Sequence, residues 1–286
     1  MTEAKPLISA VVTTHNRPRL LPRALDSVAA QTYPNLELVL VDDGSAEDVQ
    51  FIADRYRRKL PVQYIRNSTA MGACRARNQG IEAASGTFIA GLDDDDEWHP
   101  ERVEKMFRAY SGEYSFVTSD VQMIYPNGKI PWKKKEVLSF DDLLYSNAVG
   151  NQGLIKKDYL LEAGGFDESL EAAQDYDLWL RLCERFGPVK NVQENLQDVY
   201  QEDDRQRISN PRDQLRGYLG FYNKHKHKMN RRQQKYQLYN IRKATGKDSG
   251  IVDLCGWVPP HRYWKEIKYL AGRAWFSGSE KRENQG

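Results

Sequence analysis

The first hundred residues alternate short apolar runs with stretches whose hydrophobic positions recur at a helical spacing. Leu7 to Thr13 is a continuous apolar run, as expected of a strand covered on both faces. Asn16 can cap a helix opening on Arg17-Pro18, with Leu21, Leu25 and Val28 spaced i, i+4, i+7. Leu36 to Val41 predicts a second strand, closed by Asp42-Asp43-Gly44-Ser45, and Ala46 to Arg58 the helix after it. Val62 to Ile65 predicts a third strand, Gly72 to Ala84 a helix, and Thr87 to Leu92 a fourth strand running into four aspartates. This alternation predicts an α/β fold, a Rossmann-like, mainly parallel central sheet flanked by helices. Ligands of such sheets bind beyond the carboxyl ends of the strands, where the polar clusters after strands one, two and four fall.

The middle of the chain is less regular. Ser115 to Tyr125 and Gly128 to Trp132 predict antiparallel strands around the turn Pro126-Asn127-Gly128, and residues 149–156 can supply another. Gln174 to Phe186 predicts a helix stopped by Gly187-Pro188. From about Asp203 the pattern becomes long, basic and Tyr-rich. The expected division is a domain over 1–204, with halves 1–100 and 101–204, and a basic, mostly helical extension over 205–286.

Charge sharpens that division. The net +2 of the 286 residues combines 23 Lys+Arg against 34 Asp+Glu over 1–204 with 19 against 6 over 205–286. A basic tail on an acidic body suits an anionic partner. In its last part Trp257, Tyr263, Trp264, Tyr269 and Trp275 interleave with Arg262, Lys265, Lys268 and Arg273, a mixture suited to an anionic membrane surface. No apolar run is long enough to span a bilayer, and no secretory h-region follows Met1 to Pro6. Cys74, Cys183 and Cys255 lie far apart, without a zinc or disulfide spacing. The expected location is cytoplasmic, peripheral on the inner face of the plasma membrane.

Candidate chemistry lies at the strand ends. In Asp93-Asp94-Asp95-Asp96, alternation along an extended chain can turn Asp93 and Asp95 to one side. Their mutual repulsion is relieved by a hard divalent cation, Mg²⁺ or Mn²⁺, although a solvated acidic helix start is the plainer alternative. Asp42-Asp43-Gly44-Ser45 is a good turn that could also accept from a base or ribose. Asp175, in the first turn of the Gln174 helix, is stabilised as an anion by the helix dipole, as a general base requires.

Taken together, these segments resemble the family 2 inverting glycosyltransferases, which have the GT-A fold. The resemblance runs from about residue 7 to 186. It rests on Thr13-Thr14-His15-Asn16-Arg17, Val41-Asp42-Asp43-Gly44-Ser45 and Gly72 with Ala76-Arg77-Asn78-Gln79-Gly80. Leu92-Asp93-Asp94-Asp95-Asp96, Gly164-Gly165-Phe166-Asp167-Glu168 and Gln174-Asp175-Tyr176-Asp177-Leu178-Trp179-Leu180-Arg181 complete it. By this resemblance Asp43 contacts the uracil of a UDP-sugar, with Thr13 and His15 lining the nucleotide pocket and Arg77 near the diphosphate. Asp93 lies toward the ribose, Asp95 binds the metal with Asp93 and Asp96 able to share it, and Asp175 is the base. The implied partners are a nucleotide-sugar donor and a glycan or lipid-linked acceptor of a bacterial surface polysaccharide or lipopolysaccharide, and no nucleic acid. A metal-dependent sugar-nucleotide hydrolase and a nucleic-acid-binding protein using the basic tail are the competing readings.

Overall fold

The computed structural model describes residues 5–150, 152–201, 211–244, 256–263 and 266–267. Two compact units divide the chain. One takes Met1–Leu143, Asn147–Ser169 and Gln174–Ile208; the other takes Leu144–Ser146, Leu170–Ala173 and Ser209–Gly286.

The first unit is built on one sheet. Four of its strands, β1 (Ile8–Thr14), β2 (Leu36–Asp42), β3 (Val62–Arg66) and β4 (Phe88–Asp93), are parallel in the order β3-β2-β1-β4. Register sets Thr13 beside Val41 and Asp93, and Thr14 beside Asp42, so the polar ends of three strands share one sheet edge. Helix α1 (Leu21–Ala29), the short α2 (Gln50–Asp54) and α3 (Ala73–Ala83) connect these strands. Gly80 lets α3 lie close on the sheet, because a Cβ there would come within 2.6 Å of a Val11 methyl.

Beyond β4 the sheet becomes mixed. The short β5 (Glu97–Trp98) and α4 (Arg102–Ala109) lead to β6 (Phe116–Tyr125), which turns back as β7 (Gly128–Trp132). After β8 (Val137–Leu138) and α5 (Phe140–Tyr145), β9 (Leu154–Lys156) inserts antiparallel between β4 and β6. Helices α6 (Lys157–Glu162) and α7 (Gln174–Phe186) follow. The last strand, β10 (Val189–Tyr200), runs parallel to β6 with two register shifts. The result is the expected α/β architecture, a central sheet flanked by helices, but the sheet is mixed rather than mainly parallel, because β5, β7, β8 and β9 add to it antiparallel. A core including Ile8, Val12, Leu25, Leu38, Leu40, Phe88 and Trp98 lies on one face of it.

Three local expectations are corrected. Helix α1 begins at Leu21 rather than at Arg17, and Asn16 does not cap it. Asn16 instead takes a positive φ of 56°, which its short polar side chain tolerates, and its Oδ1 accepts from the Ala46 amide at 2.8 Å. The helix expected over 46–58 contracts to the five residues of α2.

Within the second unit, α8 (Pro211–His225) and α9 (Arg231–Ala244) are the long helices among the described residues. Tyr145, Tyr236, Tyr239 and Val258 form a buried cluster, with Trp257 and Tyr263 packed on its side. Arg262 lies over the rings of Tyr145 and Tyr236, and Tyr236 donates to Glu266, which also pairs with Lys243 at 2.8 Å. Trp257 and Tyr263, assigned by the sequence to a lipid surface, are therefore occupied in an aromatic cluster. Trp264, Lys265, Lys268, Tyr269, Arg273 and Trp275 lie outside the described residues. No helix among the described residues is long and apolar enough to cross a membrane.

Candidate active site

The end of β1 meets the end of β4 through a tight set of charges. Thr14 Oγ1 donates to Asp94 at 2.6 Å, and Arg17 bridges Asp94 at 3.1 Å and Asp95 at 2.6 Å. Arg23 of α1 holds the Asp95 carbonyl while its guanidinium lies 3.6 Å over the Tyr200 ring. Burial pushes the Asp94 carboxyl up to about 6, against the pull of Thr14 and Arg17. Asp95 is raised by burial first and by the charge of Asp93 second, so these two carboxylates feel one another across the strand end. Asp96 is committed elsewhere: it is buried and accepts from Gln197 Nε2 at 3.0 Å and the Tyr200 amide at 3.1 Å, both on β10.

Asp93 is positioned by two elements remote in sequence. Arg77 of α3 and Gln152 Nε2 donate to its Oδ1 at 2.9 and 3.0 Å. Gly91 is what admits Gln152, since a Cβ at that position would lie 2.1 Å from the Gln152 amide oxygen. Behind these groups lies a cavity of about 30 Å³, lined in part by Thr13, Arg77, Gly91, Gln152 and Trp179. That is room for about one water.

Asp175, at the start of α7, accepts from Asn147 Nδ2 at 3.0 Å. Burial raises its carboxyl above the ordinary range, opposed by the Tyr176 amide, the Arg77 charge and Asn147. Arg77 is thus the cation between the two carboxylates, bonded to Asp93 and electrostatically coupled to Asp175. Its guanidinium also lies 5.4 Å over the Phe166 ring.

The Gly164-Gly165-Phe166 turn ties the α3 and α7 sides together. Both glycines have positive φ and close α6, with Gly165 donating to the Leu160 carbonyl. Asn78 clamps Phe166 through its amide and its carbonyl, at 2.8 and 2.9 Å. Arg181 of α7 pairs with buried Asp177 and donates to the carbonyls of Ala163 and Gly165. Helix end and tight turn are one device here.

Across the edge, Asp43 is a loop anchor. Its carboxylate accepts from Asn67 Nδ2, the Met71 amide and the Gly72 amide, all within 2.9 Å. Gly44, at φ 69°, lets that loop approach, because a Cβ there would meet the Ala70 nitrogen at 2.5 Å. His15 Nδ1 lies 2.8 Å from the Asp43 carbonyl and so carries the hydrogen. Its Nε2 then accepts from Asn16, whose amide orientation is set by the Ala46 bond.

A divalent ion fits this donor set. The acidic strand end offers hard oxygens only, with residual repulsion between Asp93 and Asp95. Among the described residues no three His, Cys, Asp or Glu side chains form a closed ligand group. One or two carboxylates completed by water and phosphate is the pattern magnesium and manganese take with phosphate substrates.

The structure therefore gathers Thr13, Arg77, Asp93, Asp95 and Asp175 around one sheet edge and sets His15 and Asp43 on its β2 side. Sequence reading gave no role to Thr14, Arg17, Asn147 or Gln152. Thr14 and Arg17 were visible beside the strand-one motif, whereas Asn147 and Gln152 lie in a segment without a local signature.

A Rossmann-like sheet with an acidic edge and a separate, half-buried carboxylate at a helix start is an arrangement suited to group transfer, and comparison with known proteins specifies the family. The model of "Glycosyl transferase family 2" matches residues 9–164, and that of "Glycosyltransferase like family 2" matches 110–245. The Escherichia coli K12 glycosyl transferase WcaA, named for colanic acid biosynthesis, is 34% identical over 253 residues, covering 85% of this chain and 89% of that protein. A Haemophilus influenzae glycosyltransferase is 32% identical, covering 64% of this chain and 65% of its own. Among solved structures, Staphylococcus aureus TarS 1-349 superposes with a TM-score of 0.66 at 17% identity, over 90% of this chain and 76% of that one. The mannosyltransferase PcManGT of Pyrobaculum calidifontis gives 0.65 at 14%, over 95% and 81%. The chain belongs to glycosyl transferase family 2, and it is a glycosyltransferase of GT-A fold.

Proposed function

We propose that this enzyme transfers a glycosyl group from a nucleotide sugar, a UDP-sugar, to a hydroxyl of a glycan or lipid-linked acceptor in surface-polysaccharide assembly, with inversion. The observation that carries the reading is the pairing of Asp93 and Asp175 about Arg77, one carboxylate at the acidic strand end and the other half-buried at a helix start. The colanic acid name of WcaA supports the acceptor class. TarS complexes with UDP-GlcNAc and with UDP, and the PcManGT complex with GDP-Man and Mn²⁺, support donor and ion.

In this reading Asp95 and Asp93 hold a divalent ion, Mn²⁺ or Mg²⁺, while Asp96 ties the strand end to Gln197 and Tyr200 of β10. When bound, the ion neutralises charge growing on the departing diphosphate. Thr13 and His15 line the nucleotide site, and Asp43, with three donors already on its carboxylate, keeps acceptor capacity for the uracil imino group. Arg77 holds Asp93 in place and keeps Asp175 ionised. Asp175 removes the acceptor proton as the hydroxyl attacks C1 from the face opposite the leaving group. Asn147 aims that carboxylate and favours its charged form.

Replacing Asp175 by Asn keeps the shape and removes the base. Transfer should fall ~10²–10⁴-fold, the usual contribution of a positioned base, with UDP affinity unchanged. Transfer within severalfold of wild type, measured with a soluble acceptor analogue, would place the base elsewhere.

A further inference from the structure

The β6–β7 hairpin has no part in the chemistry above, and its composition is unlike the rest of its unit. From Val121 to Lys135 there are four lysines and no carboxylate, within a 1–204 segment whose acids outnumber its bases by 34 to 23. Every residue from Tyr125 to Pro131 is exposed, including Ile130 at 54% and Tyr125 at 40%. Register pairs Val121 with Trp132, Met123 with Ile130 and Tyr125 with Gly128. Side chains alternate along strands, so Trp132, Ile130, Met123 and Tyr125 lie on one face of the hairpin. That face is apolar from root to tip.

The lysines divide by role. Lys134 is buried against Ser119 and Thr118, and Lys135 pairs with Asp142. Lys129 and Lys133 are exposed, and neither has an acidic partner among the described residues. Register sets Lys129 opposite Ile124, so these two ammonium groups project from the other face of the same exposed hairpin, behind the aliphatic and aromatic face.

The root of the hairpin reaches the base. A Cβ on Gly150 would lie 3.3 Å from the Trp132 ring, and the Gly150 carbonyl accepts from Trp179 and from Asn147, the residue that holds Asp175.

We infer that the β6–β7 hairpin is an anionic-lipid docking element, inserting Ile130 and Tyr125 among headgroups while Lys129 and Lys133 pair with lipid phosphates. An aromatic ring with a polar edge suits the headgroup layer, and an aliphatic side chain beside it suits the acyl boundary. Addition of a protein strand is disfavoured, because Pro131 interrupts the donor row of β7 and lysines flank it. An aliphatic side chain as exposed as Ile130 also gives a nucleic acid nothing to stack on. The inference rests on the hairpin alone and not on the donor or metal assignments.

The test is co-sedimentation of the full chain with vesicles of neutral phosphatidylcholine, with and without phosphatidylglycerol. Wild type should bind only the anionic vesicles and release as salt rises. Lys129→Gln with Lys133→Gln should weaken binding roughly 25- to 30-fold, about fivefold per lysine. Tyr125→Ser with Ile130→Ser should abolish binding while the melting temperature and UDP affinity stay unchanged. Vesicle binding that is absent in wild type, or equal in wild type and both double variants, overturns the inference. Selective loss of duplex-DNA binding in the lysine variant, with vesicle binding kept, overturns it in favour of nucleic acid.

Discussion

Lys134 offers a test of how the hairpin is rooted. Its ammonium is buried between the Ser119 carbonyl and Thr118 Oγ1, and burial, helped by the charge of Arg102 and opposed by Asp120, lowers it from 10.5 to about 7. Between those two values the unfolded chain holds a proton that the folded chain does not. Stability therefore rises with pH across that window, with a slope approaching 1.4 kcal/mol per pH unit. It levels off below pH 7, where both states are protonated. Replacing Lys134 by Met removes the titration, and the difference between wild type and variant should change by roughly 2–3 kcal/mol from pH 7.5 to 9.5. At pH 7.5 the wild type holds its amine neutral at a cost of about 4 kcal/mol. Met leaves the Ser119 carbonyl without that donor, a loss of about 1–3 kcal/mol, so the variant should be net more stable by roughly 1–3 kcal/mol near neutrality. Urea unfolding of both proteins at half-unit pH steps gives the difference directly, and other groups cancel in it. Parallel stability curves for the two proteins would refute the buried, deprotonated lysine.

The other predictions concern the site. Asn147→Ala removes a hydrogen bond that favours ionised Asp175, so the acidic limb of the rate profile should move to higher pH; an unmoved limb in kcat would separate Asn147 from the base. Asp43→Ala should lower both the melting temperature, through the freed amides of Met71 and Gly72, and UDP affinity, by ~10- to 100-fold for a lost charge-assisted bond. Calorimetry that shows intact UDP affinity with a lowered melting point leaves Asp43 as a loop anchor alone. Asp95→Ala should abolish Mn²⁺ binding in the presence of UDP, as chelation should abolish wild-type turnover, and full ion affinity in the variant would remove Asp95 from the metal site.

Much of the fold was legible because strands buried on both faces must be continuous apolar runs. Leu7–Thr13, Leu36–Val41 and Thr87–Leu92 each lie within a residue of the observed β1, β2 and β4. The hairpin and α7 announced themselves through a turn and a Gly-Pro stop. Strand β10 did not: seven of its twelve residues are polar, and two register shifts break the alternation that marks a strand. At the site, the acids were visible as motifs and their supports were not. Gln152 reaches Asp93 from 59 residues away and only because Gly91 lacks a side chain, a coincidence of packing that no local pattern encodes. Asp43 illustrates the opposite difficulty: its position was evident, but its carboxylate's three partners come from a loop that begins 24 residues later.

That loop is held in an unusual manner for so exposed a segment. Asp43 grips the main-chain amides of Met71 and Gly72, and Gly44 makes room for the backbone at 69–70, so the path of the chain owes little to the side chains of Thr69, Ala70 and Met71. All three are exposed, Met71 by 51%. Substitutions there meet solvent rather than packed neighbours and leave the anchoring bonds in place. Surface changes of this kind usually stay within about 0.5 kcal/mol. Chain path and surface chemistry are therefore separable along this rim, and new side chains can be tried at 69, 70 and 71 one at a time without refolding the edge of the sheet.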